Sequence, residues 1–350
     1  MGKERILWLD TAKGIGIFLV VLGHVFIVGN FNKWIYSFHM PLFFFLSGFL
    51  FEGFIYDIKT FFTKRTFSLL VPYFVFAIFS FLFYLAGYIV VNNYLGIKLD
   101  YFKYGVLHQL IGIFYSKIGS GYLFINPALW FMTCIFITQM ISWFLHRFIK
   151  QKFIILIISL FMFAFALVLN FIKPNLLLPW GIDTALVGIL FFEFGFLFKE
   201  FKFFDKINNI LKIIISIIML VLTIVFSMLN TDVSIGANIY GNYFYFIITS
   251  FAGLFLVSLV SILIEKIGFF DYFGKNSIII LLTHYLIVFS LKALFIVLFK
   301  FDIKYLNESV FPLIIIFILT ILIQIPIIIL LNKYFPMLIG KKVKKDKITA

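Results

Sequence analysis

Residues 310–331 read VFPLIIIFILTILIQIPIIILL, 22 positions without one charged side chain. As a helix this stretch is about 33 Å long, enough to cross a hydrocarbon core of about 30 Å. Runs of the same kind occupy 68–91, 153–172 and 210–229. They have helix length and lack the ten-residue alternation and regular turns of a membrane β-barrel. Working outward from them, spans are expected at about 12–29, 38–54, 68–91, 127–146, 153–172, 177–198, 210–229, 243–264, 277–299 and 310–332. The expected fold class is therefore all-α, a polytopic membrane protein of about ten transmembrane helices in one bundle.

Composition agrees. Hydrophobic residues make up 63% of the 350 and charged residues 13%, against roughly 45–50% and 25% in soluble globular proteins. A soluble domain could not cover that much apolar surface. The net charge of +14 raises the question of nucleic acid, but the positions of the charges answer it. Most of the 29 Lys and Arg fall in alternate connections, on the N-terminal side of the membrane: Lys59, Lys64 and Arg65; Arg147, Lys150 and Lys152; Lys199 to Lys212; Lys333 to Lys347. This is the positive-inside pattern, and it places both termini in the cytoplasm. The chain reads as one domain, 1–350, whose basic cytoplasmic tail, 333–350, is suited to anionic membrane lipid at 341–347. Nucleic acid is not an expected partner. The first apolar run is too long for a cleaved leader and reads as an anchor that stays. The segment 92–126, with the short apolar run Tyr104–Tyr115, reads as interfacial or re-entrant.

Few residues in the spans carry chemistry. There is no P-loop, no Gly-x-Gly-x-x-Gly and no Cys or His cluster with metal spacing, so no metal is expected. Cys134 is the single cysteine and reads as a packing residue. Ionisable groups inside spans are costly and mark function by default: Lys13, His24, His39, Asp183, Glu193, His284 and Lys292, with Asp10 and Arg65 at the inner edge. Lys13 and His24, eleven positions apart, lie within 20° around a helix, with His24 roughly 16 Å higher. Snorkelling accounts for Lys13 but not for His24. Pro41 in the first turn of its helix puts His39 at a similar height. Lys64 and Arg65 suit phosphate, although the topology rule alone also puts cations there. His284 falls on the inner half of 277–299, Lys292 lies two turns on, and Asp183 and Glu193 are candidates to pair with these cations.

The opening Leu9-Asp10-Thr11-Ala12-Lys13-Gly14-Ile15 and Leu22-Gly23-His24, followed by Phe38-His39-Met40-Pro41-Leu42-Phe43-Phe44-Phe45-Leu46-Ser47-Gly48, closely resembles membrane acyltransferase family 3. The resemblance is greatest to the subgroup with the fucose 4-O-acetylases of bacterial surface polysaccharides. Weaker matches are Leu70-Val71-Pro72-Tyr73 after Arg65, Leu129-Trp130-Phe131, and Gly274-Lys275-Asn276-Ser277 with His284. Many members have Arg where this chain has Lys13, which offers a point charge in place of a bidentate fork.

The resemblance implies transfer of an acyl group, usually acetyl, from cytoplasmic acyl-coenzyme A, as co-substrate, to a hydroxyl of a cell-surface or lipid-linked glycan. It implies a multi-pass protein of the cell (plasma or inner) membrane. An alcohol needs a base to become a nucleophile, and His24 is the expected one. Asp10 and Lys13 line the inner entry, and His39 binds the sugar or polarises the thioester. Lys13, Lys64, Arg65 and His284 are expected to hold the donor. A covalent acyl-enzyme through Ser47 or Cys134 is the less direct route. The rival reading is a transporter or flippase for a polysaccharide precursor; a scaffold with inert histidines is a third. A homo-oligomer is compatible with the sequence, which does not name the acceptor.

Overall fold

The computed structural model describes residues 6–90, 105–119 and 121–342. In chain order the helices are α1 (Leu7–Val25), α2 (Asn30–Tyr36), α3 (His39–Phe49), α4 (Ile58–Arg65), α5 (Val71–Val90), α6 (Val106–Tyr115), α7 (Trp130–Phe148) and α8 (Lys152–Ile172). They continue with α9 (Ile182–Phe201), α10 (Asn209–Leu229), α11 (Tyr243–Ile264), α12 (Phe269–Lys275), α13 (Ser277–Phe299), α14 (Ile303–Glu308) and α15 (Val310–Tyr334). Among the described residues ten helical stretches are long and apolar enough to span a bilayer, and no strand is present. The expected all-α polytopic class is thus the observed one. The basic tail from 343 onward, Lys3 and Arg5, and the start of the 92–126 segment up to 104 lie outside the described residues.

Hydropathy and burial run in opposite directions. The four least apolar spans, those containing α1, α2–α3, α7 and α9, are the four most buried, and the three most apolar, α8, α10 and α15, are the most exposed. In a bilayer the solvent is itself apolar, so polar groups gather in the middle of the bundle and the greasiest helices face lipid.

The central helix is α1, which touches α2, α3, α11, α12, α13 and α15. Its contact with α12 is backbone to backbone: a Cβ on Gly14 would sit 2.1 Å from the Phe270 carbonyl oxygen, and one on Gly274 would sit 1.7 Å from that of Asp10. The α3–α9 crossing is built the same way, with a Cβ on Gly48 falling 1.8 Å from Phe192 O and one on Gly195 falling 2.0 Å from Phe45 O. Small residues let helices approach where burial of apolar surface gives no drive between them.

The third span starts ten residues before its expected boundary of 68. It is a continuous rod of α4, a π-helical turn at Thr66–Leu70, and α5. The Val71 amide donates to Thr66 O, five residues back, and Pro72 has no amide to offer Ser68. Arg65 is therefore inside the rod and not at its edge. In the 92–126 segment, α6 brings its last turn to the first turn of α5, where Tyr73 Oη donates to Ile113 O at 2.5 Å. That contact is roughly 24 Å along α5 from Ile89.

The pairing expected for the intramembrane carboxylates is corrected. Asp183 binds neither His284 nor Lys292; its Oδ1 accepts from Lys117 Nζ at 2.8 Å. Lys117 also donates to Thr184 Oγ1 at 2.8 Å and Asn238 Oδ1 at 3.2 Å. This fully buried lysine ties the α6–α7 connection to the start of α9 and the α10–α11 turn. Glu193 accepts from Ser142 Oγ at 2.6 Å and pairs with His146 Nε2 at 2.8 Å. Hydrocarbon provides no solvent for an ion, so each carboxylate takes a donor from a neighbouring segment of the bundle.

Three stability outcomes follow, all readable as thermal unfolding of the detergent-solubilised protein. Gly48→Ala should cost about 1–3 kcal/mol or more, because α3 and α9 must separate. Lys117→Met strands the Asp183 charge and should cost about 3–5 kcal/mol. Lys152→Met, which removes the partly exposed pair with Glu200, should cost about 0–1 kcal/mol. Equal losses for the two lysines would remove the anchoring role of Lys117.

Candidate functional site

A cavity of about 380 Å³ opens between α1, α3, α7, α13 and the α4–α5 rod. On α1 it is lined by Asp10, Lys13, Ile17 and Val20, and His24 continues the same stripe one turn on. The face of α1 that carries Asp10, Lys13 and, eleven positions on, His24 thus supplies one wall of the cavity over its Asp10–Val20 stretch.

The mouth is polar. Lys13 Nζ lies 3.6 Å from Asp10 Oδ1, and Lys275 is paired with Asp271. Arg65 has no carboxylate partner among the described residues; its guanidinium lies 5.2 Å from the Phe61 ring centroid, and its Nε is buried without a hydrogen bond. The glycines of the α1–α12 crossing each adjoin a cation of this mouth, Gly14 beside Lys13 and Gly274 beside Lys275, so the tight packing also sets the spacing of the charges.

Beyond the mouth the walls are apolar, formed by Ile17, Phe43, Phe131 and Ile135. The exception is Gln139, whose buried Oε1 has no hydrogen-bond partner. The inner end is closed by Val20, Met40 and Leu281. Each of these adjoins a histidine: Val20 is one turn before His24, Met40 follows His39, and Leu281 is one turn before His284.

The three histidines converge there with two tyrosines. Ring centroids are 5.1 Å apart for His24 and His284, 5.5 Å for His24 and Tyr285, 6.4 Å for His24 and Tyr36, and 4.9 Å for Tyr36 and His39. Gly23 makes room for this cluster, since a Cβ there would lie 2.8 Å from the Tyr36 ring. Asn32 Nδ2 donates to Gly23 O at 2.9 Å and Phe26 O at 2.6 Å, closing the end of α1 beside His24.

His39 Nδ1 is 2.9 Å from Ile35 O, and His284 Nδ1 is 2.7 Å from Ile280 O. A carbonyl only accepts, so in both rings Nδ1 carries the hydrogen and Nε2 is left as a lone-pair acceptor. His284 Nε2 has no partner and its side chain is fully buried. His24, Tyr36 and Tyr285 are partly exposed, whereas His39 and His284 are not.

Of the residues expected from sequence, Asp10, Lys13 and Arg65 line the mouth, and His24 and His39 meet at the inner end. His284 sits with them, beside His24, and not near the entrance. Lys64 does not line the cavity; its Nζ lies 3.4 Å over the Tyr56 ring on the exposed side of α4. Of the two nucleophile candidates, Ser47 faces the cavity, while Cys134 is buried against Gly181 O at 3.5 Å. Gln139, Tyr36 and Tyr285 were not singled out from sequence. Gln139 is a lone amide in an apolar run, a signal that was available, whereas nothing local marks the tyrosines. Among the described residues no group of three or more His, Cys, Asp or Glu is placed to hold a metal ion.

Residues 6–333 fit the family model described as an acyltransferase domain. Comparison with curated proteins and with solved structures gives no match. The family match takes in all ten spans, the basic mouth and the three histidines, and the chain belongs to membrane acyltransferase family 3.

Proposed function

We propose that the protein O-acetylates a glycan, taking the acetyl group from cytoplasmic acetyl-coenzyme A and delivering it to a hydroxyl of a cell-surface or lipid-linked saccharide. The observation that carries this reading is the basic-mouthed cavity lined by the face of α1 from Asp10 to Val20, which ends one turn short of His24 and its neighbours in the histidine cluster. The positive-inside distribution puts its mouth on the cytoplasmic side of the cell membrane. The sequence motifs favour the fucose 4-O-acetylase-like subgroup.

In this reading Arg65 and Lys13 receive the phosphates of the donor. Arg65 is the better placed, as a cation without a carboxylate of its own. The apolar middle takes the pantetheine arm, and Ser47 lines its path. From Lys13 to His24 is roughly 16 Å, a distance an extended arm covers, so the thioester arrives beside the histidines. Movement of Val20, Met40 and Leu281 completes the connection.

His24 then removes the proton of the sugar hydroxyl as the oxygen attacks the thioester carbonyl. The carbon–sulfur bond breaks, the sulfur leaves as thiolate, and the proton held on His24 returns to it. His284, with its Nδ1–H fixed on a backbone carbonyl and Nε2 free, is suited to accept from the second N–H of His24 and steady the imidazolium. His39, an acceptor at Nε2, suits a sugar hydroxyl better than an oxyanion, which needs a donor. Direct transfer needs no acyl-enzyme.

The test is transfer of labelled acetyl from acetyl-coenzyme A to envelope glycans in membranes with matched expression. His24→Ala should lower the rate by about 10²–10⁴-fold, and an unchanged rate would remove it as the base. No label with wild type, across varied donors and acceptors, would favour carriage of a glycan precursor instead. Arg65→Ala should raise the KM for acetyl-coenzyme A about tenfold or more, with little change for Lys64→Ala. The reverse order would displace the donor site from the cavity.

A further inference from the structure

On the other side of the histidines from the cavity mouth, α13 carries a second cation. Lys292 lies seven residues beyond Tyr285, within 20° of it around the helix, and so on the face that Tyr285 turns to His24. Its Nζ donates to Val25 O at 3.2 Å and to Asn307 Oδ1 at 3.0 Å. Val25 is the residue after His24, so the ammonium sits against the same turn of α1 that carries the proposed base.

Three features set Lys292 apart from a structural cation. Among the described residues no carboxylate pairs with it, whereas Lys13, Lys117 and Lys275 each have one. Asp302, the acid nearest in sequence to Asn307 apart from Glu308, caps α14 through the amides of Lys304 and Tyr305. The Lys292 ammonium donates two bonds, to Val25 O at the end of α1 and to Asn307 Oδ1, and so keeps a third N–H. Finally, Lys292 is only partly buried, as are His24, Tyr36 and Tyr285. These four polar groups thus lie together around the end of α1, on the side of His24 away from the cavity mouth. An ammonium with a free N–H and no counter-ion, held in a span at great cost, is matched to an anion that arrives from outside.

We infer that Lys292 binds an anionic group of the acyl acceptor, a phosphate or carboxylate carried within a sugar or two of the hydroxyl that is acylated. This rests on the reading of His24 as the base and of a glycan as the acceptor. The hydrogen bond to Val25 O sets the reach: an oxyanion on Nζ is next to the turn of His24, so charge and hydroxyl belong to the same or adjoining sugars. The shared chemistry has two sources, the phosphate that joins a sugar to a lipid carrier and an acidic group of the glycan itself.

The experiment uses membranes with the full chain, labelled acetyl-coenzyme A, and envelope glycans of the source organism. The glycans are divided into lipid-extractable and water-soluble pools, each split by anion exchange. Wild type should label anion-retained material. Label in the lipid pool that is lost when the phosphate link is cleaved beforehand by mild acid identifies the carrier phosphate. Label in the soluble pool that is lost on carboxyl reduction or dephosphorylation identifies the glycan's own charge. Lys292→Gln should raise the KM for the labelled acceptor about tenfold or more and leave that for acetyl-coenzyme A unchanged, with Lys292→Arg recovering most of the loss. Matched thermal unfolding separates this from misfolding. Label confined to neutral glycan, an unchanged acceptor KM in Lys292→Gln, or a change in the donor KM alone overturns the inference while leaving the acyltransferase reading intact. A wild type that labels no glycan removes the acceptor reading and this inference together.

Discussion

Backbone contact between α1 and α12, at Gly14 and Gly274, is the constraint on which the rest of the site depends. Lipid tails are as apolar as leucine, so helices in a bilayer associate through close packing and hydrogen bonds and not through burial from water. Here the approach is closer than any side chain permits. It draws the start of α13 against α1, and one consequence is felt about two turns away, where His284 meets His24. The α3–α9 crossing at Gly48 and Gly195 does the same for the helix that carries His39 and Ser47. The glycines that punctuate the recognisable motifs serve geometry, bringing helix backbones together.

Polarity is then distributed by the same solvent. A charge at the centre of a span costs about 2.5–3.5 kcal/mol on insertion scales, and the bundle meets this cost in two ways. Lys117–Asp183 and His146–Glu193 are closed networks, each ion facing a partner and further hydrogen bonds. They fasten helices and leave little unsatisfied. The groups along α1 differ. Arg65 Nε and Gln139 Oε1 are buried with no partner on residues that line the path formed by the cavity, and His284 Nε2 is likewise unpartnered in the histidine cluster beyond it.

That path has a direction. Cations and an open mouth lie at one end, an apolar sleeve follows, and three histidines with two tyrosines stand at the other end. The two histidines locked by backbone carbonyls present lone pairs, and the one on α1 retains exposure. This order of groups suits the proposed transfer, in which the donor enters at the basic mouth and the histidines lie beyond the apolar sleeve.

The fold was largely legible in residues such as 310–331, because a run of apolar side chains long enough to cross hydrocarbon admits one local solution, a helix with all its backbone bonds made internally. The stripe of Asp10, Lys13 and His24 was legible for the same reason, since helical periodicity is local. Partners across helices were not. Asp183 and Glu193 had several cations within plausible reach, and only packing shows that they took Lys117 and His146. Nothing in a short apolar run marks Lys117 beside it as buried. The place of His284 depended on α12 turning α13 back against α1, and the place of Lys64, on the outer side of α4, depended on the pitch of a rod whose start lay ten residues early. The sequence by itself determined which segments lie in the membrane and which face of α1 is polar, since both follow from periods of a few residues. Only the tertiary structure decided which polar groups meet, because that is set by glycine contacts between helices far apart in the chain.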